Sequence, residues 1–297
     1  MRVCDVHCHF FSSRFLELLT GGQDGGRPAD VARRLGWQDP GSPEELSDRW
    51  AAELDAQKVA RAALIASISG DEDSVAIAVG RHPARFVGFF MFNPAAGDVT
   101  ARLARATETL GLRGICLFPA MHGYRLDDAA VGEVFAAASA RRAAVFVHCG
   151  MLSVGVRKKL GLRSHFDLRL GDPLALAAVA ARFPDVPVIV PHFGSGMLRE
   201  TLMAADQCST IHLDTSSSNN WIRYHPGLTL DSVFRQVLAV VGPERVLFGN
   251  DSSFFPRGWQ APLHVAQEAA LHAAGTTAGD REKIFGGNFD RLFPPLE

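Results

Sequence analysis

The chain has 297 residues, 47% of them hydrophobic, and its 30 basic and 32 acidic residues leave a net charge of −2. That length and apolar content can bury a large core, in one big α/β domain or two ordinary ones, and the charge balance excludes the basic footprint of a nucleic-acid binder. No segment approaches the roughly 20 apolar residues of a membrane span, and the opening MRVCDVHCHF lacks the apolar core of a signal peptide. The expectation is a cytoplasmic protein acting on a small molecule, with no nucleic-acid or membrane partner and a homodimer as its assembly. Cys4, Cys8, Cys116, Cys149 and Cys208 are odd in number and form no C-x-x-C pair, so they read as reduced and mostly buried.

The first predicted strand is RVCDVHCH (2–9). Alternation along a strand would place Asp5, His7 and His9 on one face and Cys4, Val6 and Cys8 on the other. A long connection follows (10–42), with Gly21, Gly22, Gly25, Gly26 and Gly36, and reads as a mobile segment that closes over a site. A helix over 43–57 begins with Ser42 and Pro43 in N-cap and first-turn order. Strands are then predicted over 59–67 and 85–93, a helix after Asp98 (98–110), a strand over 112–119, and a helix over 128–142 capped by Asp127. The fifth strand, AAVFVHCG (143–150), leads into a second long connection (150–171) carrying Arg157, Lys158, Lys159, Arg163, His165 and Arg169. A helix after Asp172 (172–183), strands over 186–194 and 209–216, the loop SSSNNWIRYHPG (216–227) and a strand over 245–252 complete the pattern. Eight strands alternating with helices call for parallel pairing, and at this length they fit a (β/α)8 TIM barrel, one domain over 1–297, with insertions after strands one and five. No G-x-G-x-x-G follows the first strand, which removes the dinucleotide-binding fingerprint.

Ligand-type side chains gather at the strand ends. His7 and His9 end strand one, His148 strand five, His192 strand six and Asp251 strand eight, all at the face where barrel enzymes carry their sites. Taken singly, His148 reads better as a satisfied core histidine and Asp251 as a helix cap than either does as a ligand. Together they offer the imidazole nitrogens and carboxylate that a borderline divalent ion accepts.

These residues resemble the amidohydrolase superfamily, and within it the amidohydrolase-related (amidohydrolase 2) group that includes aminocarboxymuconate semialdehyde decarboxylase-like enzymes. The resemblance rests on DVHCH, on the single histidines after strands five and six, on the aspartate after strand eight and on the closing KIFGGNFDRLF (283–293). It implies one divalent metal ion per chain, Zn²⁺ first and Mn²⁺ next, held by His7, His9, His148 and Asp251, with His192 and Asp251 catalytic. Binuclear members carry a lysine at the end of strand four, where this chain has Cys116, Leu117 and Phe118, so a mononuclear site is expected and Cys116 reads as core filler. Strand eight commonly continues Asp-Tyr-Pro in the group, whereas here it runs DSSFFPRGW.

The expected reaction is hydrolysis of a small carboxylated or aromatic ester, lactone or amide by metal-activated water. Asp251 would move the proton and His192 would donate to the carbonyl oxygen. The alternative is non-oxidative decarboxylation of an aromatic or unsaturated acid with the same residues; a third reading is an inactive metal-binding barrel. Arg223, Trp221 and Arg163 are the expected substrate contacts, with Trp259 a further aromatic cover. His212 reads as core or as a support behind the site, and His82, His264 and His272 as surface or packing residues.

Overall fold

β-Branched and aromatic residues concentrate in eight short segments that form parallel strands: β1 (Val3–Phe10), β2 (Val59–Ala66), β3 (Phe86–Phe92), β4 (Gly114–Leu117), β5 (Ala144–Val147), β6 (Val188–Val190), β7 (Ile211–Asp214) and β8 (Val246–Leu247). The structure is a computed structural model and describes residues 1–21, 27–216 and 221–295. The strands lie side by side in chain order, each reached through the helical crossover that parallel pairing requires. β8 returns to β1: the Val6 N–H donates to the Phe248 carbonyl at 2.9 Å and the His9 N–H to the Ser252 carbonyl at 2.7 Å. The result is the expected single-domain (β/α)8 barrel. No helix among the described residues is long and apolar enough to cross a membrane.

Inside the barrel, Cys4, Val6, Phe89, Cys116, Phe146 and Leu247 pack in one cluster that Phe289 and Phe293 seal from below. Cys116 is filler there, its thiol pushed well above the ordinary range by burial. The predicted alternation along β1 fails. Asp5 pairs with Ala62 and Cys8 with Leu64, so β1 has one residue more than β2 over this stretch, a β-bulge. Val6 and Cys4 therefore face the interior, Cys8 faces the surrounding helices, and His7 and His9 stand at the mouth. Asp5 does not share their face: it lies behind the wall, where it accepts from Trp259 Nε1 at 2.7 Å.

The two long connections are not open loops. The first contains helices Ser13–Thr20 and Pro28–Leu35, the second a helix Gly155–Lys159 and a turn at Leu168–Leu170. Phe15, Leu19, Leu35, Trp37 and Val156 join the two insertions in a small core of their own, which roofs the barrel mouth. Gly22, Gly25 and Gly26 of the expected mobile segment lie outside the described residues. Ser42 caps its helix through a reciprocal bond with Glu45, and Asp172 accepts from the Leu174 N–H. Asp98 occupies its cap position without a side-chain bond. The residue at the cap position before Ala129–Arg141 is Asp128, without a side-chain cap bond, while the Asp127 carboxylate accepts from Arg125 Nε at 2.8 Å.

At the opposite end of the barrel, buried Arg61 donates through Nη1 to Asp290 Oδ1 and to the Phe293 carbonyl, both at 2.7 Å. Asp290→Ala is expected to destabilise the fold by about 2–3 kcal/mol in chemical denaturation, below the ~3–5 of a fully buried pair because water reaches the carboxylate. A loss under ~0.5 kcal/mol would show that Arg61 needs no counter-charge.

Candidate metal centre

His7, His9 and His192 are each held by one ring nitrogen, and the partner decides which nitrogen carries the proton. His7 Nδ1 lies 2.6 Å from Asp214 Oδ2, and the carboxylate can only accept. Asp214 is itself fixed by the Ser216 N–H (2.7 Å) and the Ser216 hydroxyl (2.9 Å). His9 Nδ1 lies 2.7 Å from Ser67 Oγ, whose own proton goes to the Ile65 carbonyl at 2.9 Å, so His9 Nδ1 is the donor. His192 Nδ1 donates to the Ser216 carbonyl at 2.8 Å. In their neutral forms all three imidazoles therefore present bare Nε2 lone pairs.

Those lone pairs converge. His7 Nε2 and His9 Nε2 stand 3.2 Å apart, and Asp251 Oδ1 lies 3.1 Å from His9 Nε2 and 3.7 Å from His7 Nε2. Ligand atoms of His7, His9 and Asp251 all fall within 4.8 Å of one another. Two acceptors and a carboxylate oxygen at such spacing repel unless a cation sits among them, and two nitrogens bound to tetrahedral Zn²⁺ at about 2.0–2.1 Å stand about 3.3–3.4 Å apart. The donor set fits a divalent ion. His148 is outside that close trio, but its ring packs against His192 with centroids 5.4 Å apart. Its Nδ1 is buried without a hydrogen-bond partner among the described residues.

Electrostatics agree with the donor set. Burial opposes ionisation of Asp251, yet without a metal ion a protonated His9 donating to it, together with charge on His7 and His192, holds its carboxyl well below the ordinary range. Burial, reinforced by His7, lowers His192, and burial with the neighbouring imidazoles lowers His148 further. Burial also pushes His7 down, but Asp214 outweighs it and the net direction is up.

His192, Phe193 and Asp251 have left-handed backbones, with φ of 57°, 51° and 60°. β6 and β8 stop short of both functional residues, which stand on turns beyond the strands, not at strand ends as expected.

The mouth opens into a cavity of about 930 Å³, near the upper end of the ~300–1,000 Å³ usual for small-molecule sites. Phe11, Phe15, Trp37 and Phe254 form a stacked aromatic wall, with Phe11–Phe15 and Trp37–Phe254 centroids 4.2 and 4.5 Å apart. Arg163 lines this cavity, together with Arg157, Lys159 and His165. Arg223 and Trp221 do not; they line a smaller neighbouring cavity of about 170 Å³ that shares His148, His192 and Asp251. Residues 217–220 of the same predicted loop lie outside the described residues. Trp259 covers no ligand space, because its indole is committed to Asp5. His212 is buried and bonded to the Thr210 carbonyl, a core residue below the site.

Sequence reasoning missed Asp214, Ser67, Ser216 and Arg257. Asp214 was visible as the carboxylate ending IHLD; the serines gave no signal, since a hydroxyl at a strand end is ordinary. Arg257 stands in the quoted DSSFFPRGW, with its guanidinium 4.6 Å from the Phe254 ring centroid and Nη2 bonded to Ser253 Oγ at 2.6 Å.

Residues 4–294 match the family model for amidohydrolases, Amidohydro_2. The chain belongs to that amidohydrolase family. Its fold is shared with an uncharacterized TIM-barrel protein from Bordetella bronchiseptica (19% identity, 98% of each chain, TM-score 0.67). It is shared too with a 5-carboxyvanillate decarboxylase from Novosphingobium aromaticivorans complexed with manganese and 4-hydroxy-3-methoxy-5-nitrobenzoic acid (16% identity, 98% of this chain and 96% of that one, TM-score 0.65). A proposed 2-pyrone-4,6-dicarboxylic acid hydrolase from Pseudomonas putida is a third likeness (19% identity, 100% and 99% coverage, TM-score 0.62). Proteins named for both expected chemistries therefore share this fold.

In this amidohydrolase-family chain Gly249 admits no side chain. An added Cβ would collide with Asp214 Oδ1 and lie 3.0 Å from His7 Cβ. Gly249→Ala is expected to destabilise the protein by roughly 1–3 kcal/mol through overpacking. Gly80→Ala, where an added methyl meets nothing within 4 Å, should be neutral or stabilising. Equal melting temperatures for the two variants would contradict the close approach at Gly249.

Proposed function

We propose that the protein is a metal-dependent hydrolase of a small carboxylated or aromatic ester, lactone or amide. The observation that carries this reading is the hydrogen bond from His192 Nδ1 to the Ser216 carbonyl at 2.8 Å, which leaves neutral His192 an acceptor at Nε2. Asp251, ionised among imidazoles, is a second acceptor beside it. A chemistry that starts by taking a proton from water suits two bases better than one that starts by giving a proton to carbon.

A single divalent ion, Zn²⁺ or Mn²⁺, held by His7, His9 and Asp251 with His148 beside them, would supply Lewis acidity and a hydroxide nucleophile at neutral pH. Asp214 and Ser67 orient the two ligand imidazoles through their Nδ1–H groups. Asp251 Oδ accepts a proton from the attacking water, and His192 Nε2 takes that same proton on and delivers it to the leaving group. This assigns His192 a proton-carrying role in place of the expected donor to the carbonyl oxygen. The aromatic wall stacks a planar substrate, and Arg257, Arg163 and Lys159 meet its anionic end.

Decarboxylation is the second reading, favoured by that same aromatic wall with its cationic rim and by the decarboxylase fold likeness. Two measurements test the pair. Elemental analysis should find one divalent ion per chain, lost in His7→Ala, and a panel of aryl esters, lactones and hydroxybenzoates should release acid without CO₂. CO₂ from hydroxybenzoates with every ester and lactone intact would move the assignment to the second reading, and a metal-free, inactive protein after supplementation would end both.

The pH profile separates the roles of His192. Its imidazole is lowered from 6.5 by burial, and the base form is required, so kcat/KM should rise with pH along an acid limb centred below pH 6.5 and stay level through neutrality. A rate that instead falls as pH rises through that range would make the protonated imidazole the active form.

A further inference from the structure

The turn that carries Asp251 has little sheet to hold it. The β7–β8 ladder ends at Asp214 and Leu247; the Phe248 and Ser252 carbonyls accept from β1 on either side of the turn, and within it the Asp251 N–H donates to the His7 carbonyl at 2.9 Å. The three carbonyls between them are met by side chains, chiefly two glutamines, with Arg257 Nη2 also donating to Asp251 O at 3.2 Å. Gln267 Nε2 donates to Gly249 O at 3.2 Å and to Thr215 O at 3.1 Å. Gln260 Nε2 donates to Asn250 O at 2.9 Å and to Asp251 O at 3.2 Å.

Both glutamines belong to one helix, Ala261–Ala273, with Gln260 as its N-cap residue, and two helical turns separate them, so they share a face. Gln267 is 1% exposed. A buried carboxamide is costly unless every group is bonded, and an apolar residue would serve that helix face better if packing were its only duty. Instead Gln267 Oε1 accepts from the Thr215 hydroxyl at 2.6 Å, and that hydroxyl accepts from the Gly249 N–H at 3.2 Å. One amide thus ties the residue after Asp214 to the residue two before Asp251.

We propose that Gln260 and Gln267 are positioning residues for the metal centre: they clamp the backbone on which both of its carboxylates are mounted. Gln267 fixes Asp214, and through it the His7 ring; Gln260 fixes the left-handed turn that aims the Asp251 carboxylate at His9. The inference rests on the metal reading for what is positioned, but not for the clamp itself.

The test uses Gln267→Met and Gln260→Met, similar in length and without donors, with Val265→Ala as an exposed control in the same helix. Metal affinity is measured by competition with a chromophoric chelator, using Zn²⁺ and Mn²⁺, well below each variant's melting temperature. The downfield imidazole Nδ1–H resonance of His7 is followed in metal-free protein. Each glutamine variant should bind metal at least about tenfold more weakly, and Gln267→Met should shift or lose the resonance, while Val265→Ala matches the parent in both. A role confined to stability would lower the melting temperature alone. Parent-like affinity and an unmoved resonance in the folded variants would overturn the proposal. Should Gln267→Met fail to fold, Gln260→Met at the half-exposed helix start decides by its affinity. A parent protein that binds neither ion would sink the metal reading, and the resonance would then judge the clamp.

Discussion

The hydrogen bond from His7 Nδ1 to Asp214, at 2.6 Å, determines what the mouth of this barrel can bind. With the proton held on Nδ1, the His7 Nε2 lone pair has one direction to point, toward His9 and Asp251. The Ser67 and Ser216 acceptors impose the same choice on His9 and His192. A site of converging lone pairs is unfavourable by itself, and the surrounding structure is arranged to keep it from relaxing: the rings are buried, their far nitrogens are anchored, and the anchors are anchored in turn. Strain of this kind is stable only where the scaffold over-determines it.

That scaffold meets a geometric difficulty common to parallel barrels. Functional side chains must project beyond the strand ends, where the ladder stops and backbone groups lose their partners. β6 and β8 are the shortest strands, and they carry His192 and Asp251 on left-handed turns. Side chains take over the sheet's hydrogen bonding there: Asp5 Oδ1 accepts from the His7 and Asn250 N–H groups, and two glutamines meet the opposing carbonyls. Close approach has its own requirement, met by Gly249 against His7 and Asp214. The same logic holds at Gly150, where a side chain would strike the Gly194 carbonyl and force apart the loops bearing His148 and His192.

Much of this was legible in the sequence, and the failures have physical causes. Eight β-rich segments alternating with helical ones imply the barrel because parallel strands admit few other connections, and histidines at successive strand ends stand out against apolar runs. The bulge in β1 was invisible: one extra residue changes parity without changing composition, so Asp5 was placed beside histidines it never faces. Trp259 was misjudged for a related reason, since its burial follows from a bond to that same Asp5. The helices inside the first insertion were not foreseen although Ser12, Pro28 and Gly36 mark their ends, because the glycines outweighed short amphipathic segments. Arg223 and Trp221 sit near the centre as expected, yet in a separate small cavity; the partition between cavities depends on how loops fold over one another, which no local pattern encodes.

The chemistry and the selectivity of this protein are built from different material. Groups that move protons or hold charge stand on the barrel rim, braced by short hydrogen bonds to strands and to the helix after β8. The aromatic wall belongs mainly to the insertions, whose small core is separate from that of the barrel. Phe254, which follows Asp251 closely, joins the two: its ring stacks on Trp37 from the first insertion, and Lys159 from the second lies 5.8 Å from its centroid. A change in either insertion can therefore reshape the space a substrate fills without touching the histidines. Displacement of Phe254 would be felt on both sides, because its neighbour Arg257 contacts the Asp251 carbonyl.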